Sequence, residues 1–252
     1  MSRRRFYAPP ESFAPDGARV TLAREETQHF RSVLRLKAGD EVFVFDGEGR
    51  EFACVVANDG RGGATELTVR ERVAPQNPES PFELTLAVAL LKGEKFDLVV
   101  QKATELGVAR IVPVMTKRAD VRIDRAKRTT HRDERWARLA LEAAKQSGRA
   151  RVPEVGAPIE LKKLFEGENA TGALMFAERG GESLNSALAS LSAGSRTLVA
   201  LVGPEGGWET SEIDAARAHG WRIVTLGGRT LRAETAAIAV ATLLQHRRGD
   251  LI

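Results

Sequence analysis

The 252-residue sequence predicts an α/β protein in two parts, a small β module followed by a larger domain built on a parallel sheet. Short alternating apolar runs joined by glycine turns crowd the first 74 residues. A proline-rich stretch, Ala74 to Pro81, then breaks that pattern. From Phe82 onward, β-type apolar runs alternate with helical periodicity, as strands linked by helical crossovers do. Domains are placed at 1–74 and 82–252, with 75–81 as linker, because Pro75, Pro78 and Pro81 support neither a helix nor a central strand.

The first part opens with Arg3-Arg4-Arg5-Phe6-Tyr7. Guanidinium groups pair with phosphate and rings stack on unpaired bases, so this cluster suits single-stranded RNA; a disordered basic tail accounts for it equally well. Arg24 to Leu36 has Phe30, Val33 and Leu34 at helical spacing and sets Arg31 and Arg35 one turn apart. Lys37-Ala38-Gly39-Asp40 closes it as a turn. The runs Glu41–Asp46, Arg50–Asn58 and Glu66–Val73 read as strands of a small barrel or curled sheet, separated by glycine turns at 46–49 and 59–63. The single cysteine, Cys54, lies in one of these strands and is expected to be a buried structural thiol, with no intramolecular disulfide possible.

In the second part, a strand at Phe82–Leu91 leads through Lys92-Gly93-Glu94-Lys95 into a helix at Phe96–Leu106, with Gly107 placed to end it in the left-handed conformation. A strand at Arg110–Met115 completes β-α-β. Thr129–Gln146 is a long basic helix with Trp136, Leu139, Ala140 and Ala143 on its apolar face. The strand Leu174–Glu178 ends at Arg179-Gly180-Gly181, and a short helix follows at Leu184–Leu191. Leu198 to Val202 is a buried strand that stops at Gly203-Pro204-Glu205-Gly206-Gly207, before a helix at Thr210–His219. The strand Arg222–Leu226 runs into Gly227-Gly228-Arg229-Thr230-Leu231-Arg232-Ala233-Glu234-Thr235-Ala236, and an Ala-rich helix continues to about His246. Glycine turns at the carboxyl ends of successive strands are where an open α/β sheet holds its ligand. Neither main turn has the dinucleotide or phosphate-loop spacing, so a nicotinamide cofactor and a nucleoside triphosphate are both disfavoured.

Composition describes an ordinary globular protein, with 42% hydrophobic and 29% charged residues and a net charge of +4. No apolar run is long enough to span a membrane, and the Arg-rich start lacks the apolar core of a secretion signal, so a cytoplasmic protein is expected. With one Cys and four His, none at ligand spacing, no metal is expected. Between Lys117 and Arg151 stand twelve Lys or Arg against five Asp or Glu. Such a surplus is the footprint of a polyanion partner or simply a solvated helix face.

The pair Gly-Pro-Glu-Gly-Gly-Trp at 203–208 and Leu-Gly-Gly-Arg-Thr-Leu-Arg-Ala-Glu-Thr-Ala at 226–236 resembles the signature of the SPOUT class of RNA methyltransferases, and within it the RsmE family. Three stretches upstream agree in order: His29 to Asp40, Gln101 to Val108 and Glu142 to Arg149. The resemblance implies a PUA-like β-barrel in the first domain and a SPOUT-like second domain whose C-terminal part forms a trefoil knot. It implies S-adenosylmethionine as cofactor, held by loops near Phe176–Gly180, Gly203–Gly207 and Leu226–Thr235. The cofactor contacts expected on it are Phe176, Leu201, Gly203, Glu205, Gly206, Gly207, Leu226, Gly227, Leu231 and Thr235. The activity implied is methylation of uracil N3 in one uridine of 16S ribosomal RNA, by a homodimer. The RNA contacts expected are Arg3, Arg4, Arg5, Arg31, Arg35, Lys37, Arg149 and Arg229.

Uracil N3 carries a proton and a delocalised lone pair, so the proton must leave before or during attack. A carboxylate suits the general base and an arginine the developing negative charge. Arg232 is expected to be the electrostatic partner and Glu234 the base, with Glu205 next. Either carboxylate is equally suited to capping a helix or pairing with Arg229. A methyltransferase for transfer RNA or large-subunit ribosomal RNA, and a non-catalytic RNA-binding factor, are the competing readings.

Overall fold

The computed structural model describes residues 3–58, 63–119, 130–167, 172–192 and 194–251. The chain divides into two compact units. One comprises the chain up to Glu79 together with Leu141–Val152; the other comprises Ser80–Ala140 and the chain from Pro153 on.

The first unit is a curled five-stranded sheet. Strands β1 (Arg5–Tyr7), β2 (Arg19–Thr21), β3 (Glu41–Phe45), β4 (Glu51–Asn58) and β5 (Glu66–Val73) are hydrogen-bonded in the order β1-β3-β4-β5-β2, and helix α1 (Arg24–Ser32) follows β2. Period-2 alternation sends Val42 and Val44 of β3, Cys54 and Val56 of β4 and Leu67 of β5 to one face. There they meet Phe6, Leu22 and Phe30 in a closed core.

Sequence periodicity missed β1 and β2, which are three residues each and too short to alternate visibly. The Arg-Arg-Arg-Phe-Tyr stretch is no tail. Phe6 is fully buried, with its ring 5.6 Å from that of Phe30. Arg5 is folded inward: it pairs with the fully buried Glu51 at 3.1 Å, donates to the Arg149 carbonyl at 2.9 Å and lies over the Phe45 ring. Arg3 reaches the same carboxylate at 2.9 Å. Helix α1 stops at Ser32, four residues before the expected Leu36, and Arg35 takes φ 53°, a left-handed conformation rare outside glycine. Arg31 and Arg35 therefore do not share a helical turn.

The second unit contains β6 (Glu83–Ala89), α2 (Lys95–Glu105) and β7 (Arg110–Met115). Then come α3 (Thr130–Ser147), whose last part groups with the first unit, β8 (Glu154–Val155), β9 (Ile159–Glu160) and α4 (Leu161–Gly167). It continues with β10 (Ala173–Phe176), α5 (Leu184–Ala189), β11 (Thr197–Val202), α6 (Thr210–Ala218), β12 (Arg222–Val224) and α7 (Ala233–Arg248). The sheet runs β12-β10-β11-β6-β7-β8, with β9 also on β7, and every pairing is parallel. Continuous apolar runs such as Leu198–Val202 are buried along their whole length, as strands covered on two faces must be. Gly107 has φ +78° and ends α2 as expected. Trp136 of α3 packs on Phe96 with ring centroids 4.4 Å apart and donates its indole N–H to Asp97 at 3.1 Å. The small elements β8, β9 and α4 had no clear signal, being two to seven residues long.

Among the described residues no helix is long and apolar enough to cross a membrane, and no group of three metal-ligating side chains occurs. Of the basic stretch, residues 120–129 lie outside the described residues, as do 59–62 of the second glycine turn.

Burial pushes the Cys54 thiol up to about 12. The thiol ionises near 9.0 when unfolded, so alkaline pH favours the unfolded chain, and this contribution to stability is lost as pH rises above that value. Iodoacetamide at pH 8 should leave Cys54 unmodified in the folded protein and alkylate it in guanidinium chloride. Rapid labelling without denaturant contradicts the assigned burial.

Candidate active site

Because the sheet is parallel, the loops after β6, β10, β11 and β12 all leave from the same edge, and these four strands are neighbours in it. Between those loops lies a pocket of about 770 Å³, within the range of small-molecule sites. Phe176 and Ala177 follow from β10, and Val202, Gly203, Pro204, Glu205, Gly207 and Trp208 from β11. Thr225 to Ala233 follow from β12, Ala236 and Val240 from α7, and Lys95 from the start of α2, which follows β6. Phe176, Val202 and Val240 give it an apolar floor. Lys95, Glu178, Arg179, Glu205, Arg229 and Arg232 give it charge.

The loops are held to one another by bonds their sequences make possible. Trp208 donates its indole N–H to the Phe176 carbonyl at 2.8 Å, tying the β11 loop to the end of β10. Gly203 has to be glycine, since a Cβ there would stand 2.8 Å from the Trp208 ring. Thr225 Oγ1 donates to the Ala177 carbonyl at 3.0 Å and accepts from the Gly181 amide at 3.1 Å. A Cβ on Gly181 would lie 2.7 Å from the Val224 backbone, so the chain after β10 runs directly against the chain leaving β12. Glu182 clamps that approach through two bonds to Arg222, at 2.7 and 2.6 Å. The Arg222 guanidinium, with the Ser186 hydroxyl, holds the Glu182 carboxyl below its ordinary value. Gly227 and Gly228 both have positive φ, +75° and +74°, which lets the third loop turn twice without side chains.

Seven of the ten expected cofactor residues line this pocket: Phe176, Gly203, Glu205, Gly207, Leu226, Gly227 and Leu231. Three do not. Leu201 is fully buried in the core beside Val199, one residue too early in its strand. Gly206 is turned away, and a Cβ on it would meet Arg118 at 3.1 Å, so a bulky residue there would strike Arg118 rather than fill the pocket. Thr235 is exposed on α7 outside the lining.

Arg232 is exposed at the pocket and is the N-cap residue of α7. Glu234, in the first turn of α7, is only 9% exposed, and its Oε2 has no hydrogen-bond partner among the described residues. An unpartnered carboxylate oxygen at such depth is costly unless solvent or a ligand reaches it. Glu205 pairs with Lys95 and not with Arg229.

Arg229 lines the pocket itself. The other expected RNA contacts separate into two sets. Arg5 and Arg149 are buried in ion pairs, with Glu51 at 3.1 Å and with Glu79 at 2.6 Å, so their charge is spent inside the first unit. Arg3, 29% exposed, shares Glu51, whereas Arg4 is exposed. Arg31, Arg35 and Lys37 line one concavity of about 660 Å³ with Arg24, Thr27 and Gln28. Lys95 and Trp208 lie outside the loops expected to hold the cofactor, and Arg179 lies within the expected Phe176–Gly180 loop without having been singled out. Lys95 was reachable by the rule that loops after adjacent parallel strands share a crevice.

Comparison with known proteins agrees with this arrangement. A family described as the RNA methyltransferase domain matches residues 78–245, and the RNA methyltransferase PUA domain matches residues 22–65. Ribosomal RNA small subunit methyltransferase E of Synechocystis is 37% identical over 229 residues, 90% of this chain and 73% of that protein. The enzyme of the same name from Neisseria gonorrhoeae, solved bound to S-adenosyl methionine, superposes over 100% of both chains with TM-score 0.85 and 31% identity. A methyltransferase of Legionella pneumophila solved with bound SAM gives TM-score 0.86 and 30% identity, again over 100% of both chains. The chain belongs to the RNA methyltransferase family, among the small-subunit ribosomal RNA methyltransferases E.

Proposed function

We propose that this chain methylates N3 of uracil in one uridine of 16S ribosomal RNA, using S-adenosylmethionine. The observation that carries the reading is the pocket at the carboxyl ends of β10, β11 and β12, with Arg232 in its lining and the unpartnered Glu234 oxygen beside it in sequence. Its volume and mixed lining suit a cofactor with a flat aromatic base and a charged tail. When bound, S-adenosylmethionine supplies a methyl group activated by its sulfonium. Phe176, Val202, Leu226 and the glycine loops would hold it.

Glu234 takes the N3 proton, and Arg232 balances the negative charge that spreads onto the uracil oxygens. A base entering the pocket must be splayed from its stack, so the target is an unpaired or distorted nucleotide. The concavity of Arg24, Arg31, Arg35 and Lys37 holds flanking phosphates. Two copies of the chain, a trefoil knot in the second unit, domains at 1–74 and 82–252 and a cytoplasmic location belong to the same reading, supported by family likeness.

Small ribosomal subunits lacking the modification should gain 3-methyluridine at one position when incubated with the protein and S-adenosylmethionine, as read by nucleoside mass spectrometry. Methylation at another atom or on transfer RNA would refute the reading. Gly203→Ala should displace Trp208 and weaken cofactor binding about tenfold or more in calorimetric titration, about 1.4 kcal/mol. An unchanged affinity would remove Trp208 from the pocket's framework. Arg35→Ala with Lys37→Ala should leave the melting temperature unchanged and flatten the salt dependence of RNA binding by a slope of about one to two. By contrast, Arg5→Ala should cost about 2–4 kcal/mol of stability through the loss of its buried pair. The opposite pattern would reverse the two assignments.

A further inference from the structure

The pocket draws on a fourth strand that the glycine signature does not mark. Lys95 enters from beyond β6, the neighbour of β11 in the sheet, after a left-handed turn at Gly93 with φ +61°. It is the first residue of α2. The positive end of a helix dipole disfavours a cation there, so the local structure does not reward a lysine at this position. The acidic residue of that first turn, Asp97, is already engaged by Arg135 and Trp136. Lys95 instead reaches across to Glu205 in the loop after β11, and both side chains stay about a third exposed, at 35% and 40%. It also lies within the fields of Glu234 and Arg232. Three charges, Lys95, Glu205 and Arg232, thus line one pocket, and the Glu234 carboxylate lies behind the lining within electrostatic reach of Lys95.

Loss of the N3 proton leaves negative charge shared between two carbonyl oxygens on either side of the nitrogen. One guanidinium serves one side of that anion. A lysine ammonium is compact, carries three donors and exchanges partners readily.

We propose that Lys95 is a further catalytic residue of the uracil-N3 reaction: as the target base enters, its ammonium passes from Glu205 to a uracil carbonyl oxygen and stabilises the uracil anion. In that step the N3–H bond breaks, its electron pair stays on the ring, and the proton goes to the Glu234 carboxylate. The Lys95–Glu205 pair is the resting arrangement, with Glu205 raising the lysine pKa so that the ammonium keeps its charge. The assignment rests on the uracil-N3 reading above.

The test compares wild type, Lys95→Met and Lys95→Arg on small ribosomal subunits lacking the modification. Wild-type product analysis comes first and judges the N3 reading by itself. Lys95→Met should lower the single-turnover rate about 100-fold at neutral pH, the usual effect of removing one donor to a developing oxyanion. Its rate should keep rising with pH beyond the point where wild type levels off, because N3 without an ammonium at its carbonyl oxygen ionises at higher pH. Lys95→Arg should recover at least about tenfold of the loss, and 5-fluorouridine at the target position, whose N3 is more acidic, should narrow the gap between Lys95→Met and wild type. Cofactor affinity by calorimetry should stay within about twofold in both variants. A wild-type pH profile in Lys95→Met would overturn the proposal. So would weakened cofactor binding with an undiminished rate at saturation, which would assign Lys95 to the cofactor's carboxylate.

Discussion

Everything at this site depends on the direction of the strands. In a parallel ladder each strand must return to the same end before it can pair again, so every carboxyl-terminal loop opens at one edge. Residues far apart in sequence, Lys95, Phe176, Glu205 and Arg232, are brought to one pocket by that constraint alone. The helices serve it by covering the sheet: α7 lies against β6 and β11 and packs on α2, which fixes the two helices whose first residues carry Lys95 and Glu234. Burial of Ala237, Val240, Ala241 and Leu244 on α7 provides the packing energy, so the charged first turn of that helix need not contribute to it.

The loops then have to be rigid, because methyl transfer is largely a matter of placement. Rigidity here comes from a few directional bonds across the strand ends and not from regular structure. The Trp208 bond to Phe176, the Thr225 hydroxyl between Ala177 and Gly181, and the Glu182–Arg222 clamp each join segments from different strands. Glycine enters only where a side chain would collide, as at Gly203 and Gly181, or where the backbone turns left-handed, as at Gly227 and Gly228. Steric need and ligand access therefore select the same residue, and spacing alone does not separate them.

That overlap explains what was legible in the sequence. Continuous apolar strands such as Arg110–Met115 and Thr197–Val202, and the glycine turns that stop strands, carry local signals, and the structure places them where those signals put them. Facing is harder. Leu201 and Gly206 sit inside the right segments but point away from the pocket, because adjacent residues of a strand or turn diverge by half a turn or more. Partners distant in the chain leave no local trace at all. Arg5 finds Glu51 and Arg149 finds Glu79, and nothing near either arginine announces it. A run of arginines beside aromatics reads as an RNA contact until the buried carboxylate opposite it is known.

The fate of the cations follows from one distinction. An arginine with a buried carboxylate within reach, as at Arg5 and Arg149, gives its charge to the fold, and desolvation makes that pairing obligatory. Arg35 and Lys37 line a concave surface instead, where a ligand can meet their charge. Lys95 stands between the two cases. Its partner Glu205 is itself about 40% exposed, so the pair is weak enough to open yet orients the ammonium toward the pocket in the meantime. A partly solvated ion pair at the mouth of a site has little value for stability. Its value is in placing a charge that a reaction can borrow.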